Sequence, residues 1–486
     1  MRKPSLTTRY LTAAVLTAAS IGTGIAGSAS GATVAKAPLA GPTPGIACDK
    51  GSLPEKTQGR APLSDVASGR YAKGYTCNAQ QISHFGATGG YRVERYVDKA
   101  GHECAYYDST TLFPLFAPQQ GSETTGTYVM DMTDPAHPVH TDTLRTPAMQ
   151  TPHESLRLNQ KRGLLVADMA TPVTDPGFVD VYDVTADCRH PALKASSPMG
   201  ILGHEGGFSP DGNTFWVASL YAHTLAAVDL TNPSVPTVVF FSYDYQPHGV
   251  SISDDGNTLF MAEGQLGGGS GYKGLTVLDV SQVQKRALNP TVPIVSRLTW
   301  PNVGTPQNAT PFTSRGHRYV LETDEFGSGA NIGAARIIDV QNLKKPFVVS
   351  NLRLAVNEPK AQNADLEADP GNSTQFHGYQ GHYCTLPSRV DPTIVACSFI
   401  MSGLRVFDIS TLTKPTEIAY FNKPHTAANP LEKQDMDGAF AMAAPAYDEK
   451  TGDIWYTDGD SGFYVVRLTG AARRAHFAKT IVLPGN

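Results

Sequence analysis

A short hydrophobic phrase that contains an aspartate recurs along this chain. Two to four apolar residues precede the aspartate, a polar stretch follows it, and a proline then introduces another apolar run. The six full copies are Tyr128-Val-Met-Asp131 with Pro138, Val181-Tyr-Asp183 with Pro191, Ala227-Val-Asp229 with Pro236, Thr276-Val-Leu-Asp279 with Pro293, Arg336-Ile-Ile-Asp339 with Pro346, and Arg405-Val-Phe-Asp408 with Pro415. A seventh, degenerate copy, Phe463-Tyr-Val-Val-Arg467, has arginine at the aspartate position.

The spacing and content of these copies predict the fold. Successive aspartate positions, ending at Arg467, lie 52, 46, 50, 60, 69 and 59 residues apart, which is the length of one four-stranded propeller blade. A short apolar run is typical of a buried strand, an aspartate can accept a hydrogen bond in the following turn, and proline indicates entry to an edge strand. Seven copies therefore predict an all-β fold, a seven-bladed β-propeller with four-stranded blades.

Composition agrees with many short strands and excludes some partners. The chain has 46 glycines and 35 prolines, which suit tight turns. Its formal net charge is -5, without blocks of like charge, and this argues against a nucleic-acid partner.

Residues 1–32 have the features of a secretory signal peptide. A positive region containing Arg2, Lys3 and Arg9 precedes a moderately apolar stretch over 11–25. Small residues follow, with Ser30-Gly31-Ala32 as a cleavage site and Ala35-Lys36-Ala37 as the alternative. The apolar stretch is short for a membrane anchor. We therefore predict a secreted, extracellular protein whose mature chain has no membrane span.

The rest of the chain divides into a linker and the propeller. Residues 33–80 are rich in proline, glycine and serine and lack alternation, so we predict an irregular linker that wraps onto the propeller. The propeller covers residues 81–486, and the segment Ala475 to Leu483 is expected to supply the outer strand of the last blade.

Six cysteines in an exported chain favour disulfides. Cys384 and Cys397 flank the hairpin sequence 386–392, so they should face each other on adjacent strands. We predict that they form a disulfide. The pairing of the remaining four, Cys48, Cys77, Cys104 and Cys188, stays open.

Four histidines fall near one position of the blades. His204 and His248 lie eight residues before the hairpin glycines Gly212 and Gly256, His153 lies ten before Gly163, and His382 opens the inner strand of blade 6. By the same count Asn308 fills the slot in blade 5 and Met442 fills it in blade 7. The innermost strand starts at the mouth of the central channel, so we expect the four imidazoles to converge on one axis.

Carboxylates are expected on the same face. The second strand of a blade returns to this end, and those ends carry Asp168, Glu263, Asp324, Glu325 and Asp458. Glu154 and Glu205 directly follow histidines. Because neighbouring side chains of an extended strand point to opposite sides, we expect these two to point away from the rings and to support them. The longer connections, 109–126, 264–274, 326–334, 355–381 and 422–440, should also lie on this face, which makes it the expected side for a ligand.

Two interpretations of the histidines remain open. Imidazoles at one mouth fit a divalent transition metal (copper, iron or zinc), with His153, His204, His248 and His382 as ligands and Glu154, Glu205, Glu263 and Glu325 as orienting carboxylates. Alternatively, the ring nitrogens tie one blade to the next by hydrogen bonds. No catalytic residue can be assigned, and the glycine-rich stretch 267–271 is no phosphate site because no helix follows it.

The phrase also resembles the LVIVD repeat family. The closest copies are Leu275-Thr-Val-Leu-Asp279-Val-Ser281 and Leu404-Arg-Val-Phe-Asp408-Ile-Ser410, and the resemblance covers roughly residues 81 to 486. It implies the propeller fold rather than an activity. More distantly, the blades are similar to selenium-binding-type propellers, some of which are copper-dependent thiol oxidases with histidine-rich channels.

Two functions follow as hypotheses. The first is a secreted binding module whose top face holds a small molecule or a protein, with any metal in a structural role. The second, which the resemblance to selenium-binding-type propellers implies, is a metal-dependent oxidoreductase that uses copper or iron. Whether the protein is an enzyme is left open at this point.

Overall fold

Seven antiparallel sheets form a ring around a central channel. The computed structural model describes residues 33–34, 41–109, 125–150, 152–168, 177–264, 271–325, 333–361, 363–367, 369, 378–424, 439–448, 450–459 and 461–474. Each sheet contains four or five strands. The seven-bladed β-propeller that the repeated phrase predicts is confirmed.

The elements are short and almost all are strands. In chain order the strands are β1 (Thr33–Val34), β2 (Tyr75–Cys77), β3 (Ala79–Phe85), β4 (Val93–Val97), β5 (Glu103–Asp108), β6 (Thr127–Asp131), β7 (Val139–Leu144), β8 (Arg157–Asn159), β9 (Leu164–Asp168), β10 (Phe178–Asp183), β11 (Ala192–Pro198), β12 (Glu205–Phe208), β13 (Thr214–Ser219), β14 (Thr224–Asp229), β15 (Thr237–Ser242), β16 (Pro247–Ile252), β17 (Thr258–Glu263), β18 (Gly274–Asp279), β19 (Ile294–Thr299), β20 (Pro306–Ser314), β21 (His317–Asp324), β22 (Ala335–Asp339), β23 (Phe347–Leu352), β24 (Gly381–Thr385), β25 (Ile394–Phe399), β26 (Gly403–Asp408), β27 (Thr416–Asn422), β28 (Ala446–Tyr447), β29 (Ile454–Asp458) and β30 (Gly462–Leu468). The helices are α1 (Leu63–Ala67), α2 (Pro147–Gln150), α3 (Ser281–Gln284) and α4 (Ala364–Glu367). Single 3-10 turns occur at Tyr71–Lys73, Ala355–Asn357, Pro359–Ala361 and Ile400–Ser402.

In six blades the four strands follow one another from the channel outward. Blades 1 to 6 consist of β4–β7, β8–β11, β12–β15, β16–β19, β20–β23 and β24–β27. Two blades carry a fifth strand on the outer edge. β1 pairs in parallel with β19 of blade 4, and β2 pairs antiparallel with β27 of blade 6.

Blade 7 is completed from the other end of the propeller sequence. Its inner strands β28, β29 and β30 are followed outward by β3, which pairs antiparallel with β30. The prediction that Ala475 to Leu483 forms this outer strand is corrected, because Ala79–Phe85 occupies the position; residues 475–483 lie outside the described residues. An outer position needs only backbone pairing with β30, so a strand from either side in sequence can fill it.

A hydrophobic cluster lies between each pair of neighbouring blades. The described residues contain seven such clusters, one for each interface of the ring. At the closing interface between blades 7 and 1, Tyr107 stacks on Phe463 with a ring-centroid distance of 5.3 Å. The apolar runs of the phrase therefore pack blade against blade and leave the channel to the inner strands.

The aspartates of the phrase hold the turn that follows the third strand. Each of the six accepts a hydrogen bond from the backbone N–H two residues later. The distances are 2.9 Å for Asp131, Asp183, Asp229, Asp279 and Asp339 and 2.7 Å for Asp408. The predicted role of the aspartate is confirmed. In the degenerate copy, Arg467 donates instead to Asp453, at 2.7 and 2.6 Å.

The prolines of the phrase also do what the sequence predicts. In each of the six copies the outermost strand of the original four begins at the residue after the proline, at β7, β11, β15, β19, β23 and β27. The ladder to that strand shifts register just before the aspartate in every copy. A proline at this place costs no ladder hydrogen bond, because the strand has not yet begun.

The N-terminal segment from residue 41 lies along the outer edge of blade 6. Besides the β2 pairing, Gly45 forms a bridge with Glu417, and the buried Arg405 binds Glu55 at 2.7 Å. A disulfide joins Cys48 to Cys77 within the segment. The sequence predicts a linker here, and its described part is held against the propeller by these contacts.

Two further disulfides lie in the blades. Cys384 and Cys397 are directly opposite one another on β24 and β25 and are bonded, as predicted. Cys104 on β5 bonds to Cys188 in the loop after β10, which links blade 1 to blade 2. Within the described ranges, no helix is long and apolar enough to cross a membrane.

Candidate metal centre

Six ionisable side chains meet at one end of the channel, where the inner strands begin. Blade 2 contributes two of them, and blades 3, 4, 5 and 6 contribute one each: His153, Glu154, His204, His248, Glu325 and His382. We call this set the upper cluster. His153 is the most accessible member, with 12% of its side chain exposed, whereas the other five side chains are at most 6% exposed.

Glu154 is the centre of the upper cluster. Its Oε2 lies 3.0 Å from His204 Nε2 and 3.5 Å from His248 Nε2. Its Oε1 lies 3.1 Å from His382 Nε2 and 3.9 Å from His153 Nε2. One buried carboxylate thus contacts all four histidines that the sequence predicts to converge.

Glu325 is the second carboxylate of the upper cluster. It follows the end of β21, and its oxygens lie 3.6 Å from His248 Nε2 and 3.4 Å from His382 Nε2. Blade 5 has no histidine at its inner strand, so Glu325 reaches the gap between the rings of blades 4 and 6.

Backbone carbonyls fix the orientation of two rings. His248 Nδ1 donates to the Pro306 carbonyl at 2.9 Å, and His382 Nδ1 donates to the Met442 carbonyl at 2.5 Å. Each donor nitrogen therefore carries a proton, so in the neutral ring the lone pair is on Nε2 and faces Glu154 and Glu325. This arrangement of a ring held through one nitrogen, with the other free, is common among metal-binding histidines.

His204 and His248 approach each other closely. Their Nε2 atoms are 2.9 Å apart, and His204 Nδ1 is buried without a hydrogen-bond partner among the described residues. Glu154 Oε2 and His382 Nε2 are also buried without a hydrogen bond of good geometry in the described part of the chain. Buried polar atoms with this deficit point to a missing partner.

Two tyrosines border the upper cluster. The Tyr91 ring of blade 1 lies 4.0 Å from the His153 ring and 5.6 Å from the His382 ring. Tyr221 contacts the His204 ring edge-on at 5.2 Å and is 38% exposed. The side of the cluster that carries His153 and Tyr221 is therefore its accessible side.

The charges of the upper cluster depend on one another. Burial opposes a charge on His382, but its close contacts with the Glu154 and Glu325 carboxylates outweigh burial and raise the pKa of His382 to about 10. Burial also opposes a charge on Glu154, and His204, His248 and His382 together outweigh it and hold the pKa of Glu154 well below its usual range. Burial lowers the pKa of His153 to about 3, which Glu154 offsets only in part. Without a metal, the carboxylates need imidazolium partners.

The donor set suits a transition metal. Candidate ligand atoms of His153, Glu154 and His204 lie within 4.8 Å of one another, and so do those of Glu154, Glu325 and His382. Imidazole nitrogens mixed with carboxylate oxygens suit iron, copper and zinc. A cation at this position would bind the Nε2 atoms of His204, His248 and His382 and the oxygens of Glu154, which lie against one another.

The direction of Glu154 differs from the sequence-based expectation. Alternation in a strand predicts that it points away from the rings, yet it points to their centre. His153 has a left-handed backbone, with φ of 50°, and regular pairing of β8 starts only at Arg157. The rule of alternating sides applies within a strand, and these two residues precede it.

The predicted slot in blade 5 is shifted by one residue. Pro247 pairs with Glu263 in blade 4, and Pro306 pairs with Asp324 in blade 5. Gln307 therefore corresponds to His248, and Asn308 corresponds to the next residue. Counting back from the hairpin glycine fails here because Pro306 lies ten residues before Gly316, whereas Pro247 lies nine residues before Gly256.

The remaining predicted carboxylates lie outside the upper cluster. Glu205 accepts hydrogen bonds from Arg157 and Asn308, and Glu263 pairs with Arg297 at 3.0 Å. Asp324 accepts from the Gly304 N–H and Asp458 accepts from the Phe440 N–H, so these two hold the chain where it enters an inner strand. Glu325 was one of several equivalent candidates in the sequence, and only the structure distinguishes it.

Most of the long connections that the sequence predicts for this face lie outside the described residues. Residues 110–124, 169–176, 265–270, 326–332, 370–377 and 425–438 are among those not described. His377 and His425 lie in these ranges.

Comparisons with known proteins show similarity of fold only. No protein-family model matches the sequence, and no curated protein matches it. The β-propeller domain of Cps50 (Swd1) from Myceliophteria thermophila is 11% identical, with 80% of this chain and 98% of that chain covered and a TM-score of 0.49. A protein from Lactobacillus plantarum is 14% identical (75% and 99% covered, TM-score 0.48), and a chain of the mitotic checkpoint complex is 8% identical (80% and 96% covered, TM-score 0.48). The LVIVD repeat type stays a prediction.

Proposed function

We propose that this chain is a metal-binding propeller that holds one divalent transition metal (copper, iron or zinc) in the upper cluster and binds a ligand from that face. The observation that supports this most is the position of Glu154, whose carboxylate lies within 3.0–3.9 Å of the Nε2 atoms of four histidines. Four rings and two acids at this separation need shared protons or a cation between them.

The proposal assigns different roles to the members of the upper cluster. His204, His248, His382 and Glu154 are the proposed ligands because they are buried and close together. Glu325 lies beside His248 and His382 and completes the negative charge that a divalent cation needs. Ligand nitrogens should lie about 2.0–2.1 Å from the metal.

His153 occupies the open side of the proposed centre. It is the histidine farthest from Glu154 and the most exposed member, and burial lowers its pKa to about 3 although Glu154 opposes this. Structural metal sites are closed by protein ligands, whereas sites that act on an external molecule keep a position open. We propose that a ligand approaches between His153 and Tyr221, and that His153 can accept a hydrogen bond from it.

A second function, a metal-dependent oxidoreductase, is favoured by the same open side. A bound copper or iron ion would supply one-electron redox chemistry there. The chain would contribute the buried carboxylates that fix the charge of the centre and the Tyr91 ring that packs against His153 and His382. The resemblance to selenium-binding-type propellers agrees with this alternative, and the binding module remains our first proposal.

We also propose that the protein is exported after cleavage of the leader at residues 1–32. Its six cysteines form three disulfides, and disulfides persist mainly in oxidising compartments outside the cytosol. N-terminal sequencing of protein secreted by a host that carries the full gene tests this. Retention of residues 1–32 in the secreted protein would contradict it.

Metal analysis of protein purified without an affinity tag tests the main proposal. We expect one equivalent of metal in the wild type and its loss in the double variant His204→Ala/His382→Ala. The matched control is His137→Ala, because His137 is 83% exposed and, within the described ranges, pairs only with Asp134. Failure of the wild type to retain copper, iron or zinc after loading would contradict the proposal. Zinc alone, with no uptake of copper or iron, would contradict the oxidoreductase.

A further inference from the structure

A second polar layer lies directly below the upper cluster. It is formed by Arg92 of blade 1, Glu205 of blade 3, Gln307 of blade 5 and Tyr383 of blade 6, and we call it the lower layer. Glu205 and Tyr383 each follow a histidine of the upper cluster in sequence. All four residues are more than nine-tenths buried, with exposures of 8%, 0%, 0% and 1%.

The lower layer contains more polar atoms than its protein contacts satisfy. Among the described residues, six buried atoms have no hydrogen bond of good geometry: Arg92 Nε and Nη1, Glu205 Oε2, Gln307 Nε2 and Oε1, and Tyr383 Oη. The Arg92 guanidinium lies over the Tyr383 ring at 5.1 Å. Its Nε is 3.5 Å from Glu94 Oε1, which is long for a hydrogen bond.

The two carboxylate oxygens of Glu205 differ in their hydrogen bonding. Its Oε1 accepts hydrogen bonds from Arg157 Nη2 and from Asn308 Nδ2, the latter at 2.5 Å, while its Oε2 has no partner. Glu205 extends past Gly249 of blade 4, where a Cβ atom would lie only 1.9 Å from Oε2. The glycine permits the carboxylate to cross this blade and reach the side chains of blade 5.

The chemistry of these atoms indicates what lies between them. They include donors on Arg92, Gln307 and Tyr383 and acceptors on Glu205 and Gln307. A buried polar group without a partner carries its full desolvation penalty, and native proteins meet such groups with ordered water that makes two to four hydrogen bonds. An anion would satisfy the donors but would face the Glu205 carboxylate.

We infer that the lower layer encloses ordered water that bridges Arg92, Glu205, Gln307 and Tyr383. This site is separate from the proposed metal centre and does not depend on it. The water would lie on the buried side of the upper cluster, opposite the accessible side that carries His153 and Tyr221.

A high-resolution crystal structure of metal-free protein tests the inference directly. We expect solvent density within hydrogen-bond distance of Gln307 and of Arg92 or Tyr383. Direct hydrogen bonds among these side chains that leave no atom unpaired, or an empty space, would overturn it. Metal-free protein keeps the result independent of the metal proposal.

The variant Gln307→Met tests the inference through the direction in which Tm changes. If water satisfies both polar atoms of Gln307, their removal should lower Tm by about 2 °C or more. If those atoms are unsatisfied, an apolar side chain of similar size should raise Tm. Gln380→Met is the matched control, because Gln380 accepts a hydrogen bond from the Gly333 N–H at 2.6 Å and its loss should lower Tm.

Tyr383→Phe tests the same water by removing only a hydroxyl. We expect a lower Tm and the loss of one solvent peak, and an unchanged or higher Tm would count against enclosed water. An anion is distinguished by comparing Tm in chloride with Tm in gluconate at equal ionic strength. Stabilisation specific to chloride that disappears in Arg92→Gln would overturn water as the occupant.

Discussion

The outer part of the blades and the start of their inner strands follow opposite rules. At the outer part, six copies of one phrase make the same contacts: an aspartate accepts the N–H two residues on, and a proline precedes the outermost of the four strands. At the start of the inner strands, blades 2 to 6 contribute different residues to one cluster. Repetition therefore marks what builds each blade, and departure from repetition marks the candidate site.

Blades 4 and 5 show that only a few residues depart from the repeated pattern. Both inner strands begin with proline, but His248 follows in blade 4 and Gln307 in blade 5. Blade 5 instead contributes a carboxylate from the end of its second strand, because Glu325 lies one residue beyond β21. A change of one residue at each of two strand ends converts a repeating ring of imidazoles into a mixed nitrogen and oxygen site.

The most severe test of this contrast is Glu154→Gln. Glu154 is the one group that contacts all four histidines, so the variant should abolish metal retention while the blades stay folded. Metal content by mass spectrometry and far-ultraviolet circular dichroism measure the two outcomes. Glu263→Gln is the matched control, since Glu263 is a buried acid on the same face that pairs with Arg297. If both variants retain metal equally, Glu154 is not a ligand.

The second prediction concerns pH in metal-free protein. The pKa of His382 is raised from 6.5 to about 10 by Glu154 and Glu325 against the opposing effect of burial. A raised folded-state pKa means that the folded protein holds the proton more tightly. Its contribution to stability is therefore full below about pH 6.5 and is lost as pH rises through about 10.

Denaturant unfolding between pH 6 and 10, at conditions that leave the disulfides intact, measures this loss. The variant His382→Gln should flatten the dependence over that range, and His137→Ala should not. A wild-type protein whose free energy of unfolding stays constant across the range would show that His382 carries no extra proton.

The same contrast explains which features of the fold and of the candidate site can be predicted from the sequence. The phrase is local, so its turn hydrogen bonds, its edge prolines and the number of blades are all readable from one-dimensional spacing. The convergence of His153, His204, His248 and His382 was also predictable, because register carries each ring to the same end of its blade.

The inward direction of Glu154 could not be read in this way. It depends on the left-handed backbone of His153. This conformation is uncommon for a non-glycine residue, so the sequence pattern does not predict it. The strand that completes blade 7 could not be predicted either. Ala79–Phe85 lacks the phrase, and it holds the outer position of blade 7 only through backbone pairing with β30. Local spacing predicts repeated contacts, and a single strained residue or a pairing distant in sequence escapes it.

A smaller effect is expected from the disulfide of blade 6. Replacing Cys384 and Cys397 with serine should lower the free energy of unfolding by about 3 kcal/mol, as expected for a loop of this length. The cause is the larger conformational freedom of the unfolded chain. Urea unfolding measures the loss, and Cys48→Ser/Cys77→Ser is the comparison in the N-terminal segment. Peptide mapping that finds Cys384 and Cys397 as free thiols in the wild type would contradict the pairing.

The smallest effect should come from the repeated phrase itself. Asp408 accepts the Ser410 N–H at 2.7 Å, and Asp408→Ala should lower the free energy of unfolding by about 1 kcal/mol, the usual net value of one hydrogen bond. The metal content should not change, because Asp408 is at the end of β26, away from the upper cluster. Asp279→Ala, which removes the equivalent bond to Ser281 in blade 4, should give a similar loss. The two losses should add in the double variant, since the turns are in separate blades. Loss of metal in either single variant would contradict the separation between the repeated turns of the blades and the part that forms the site.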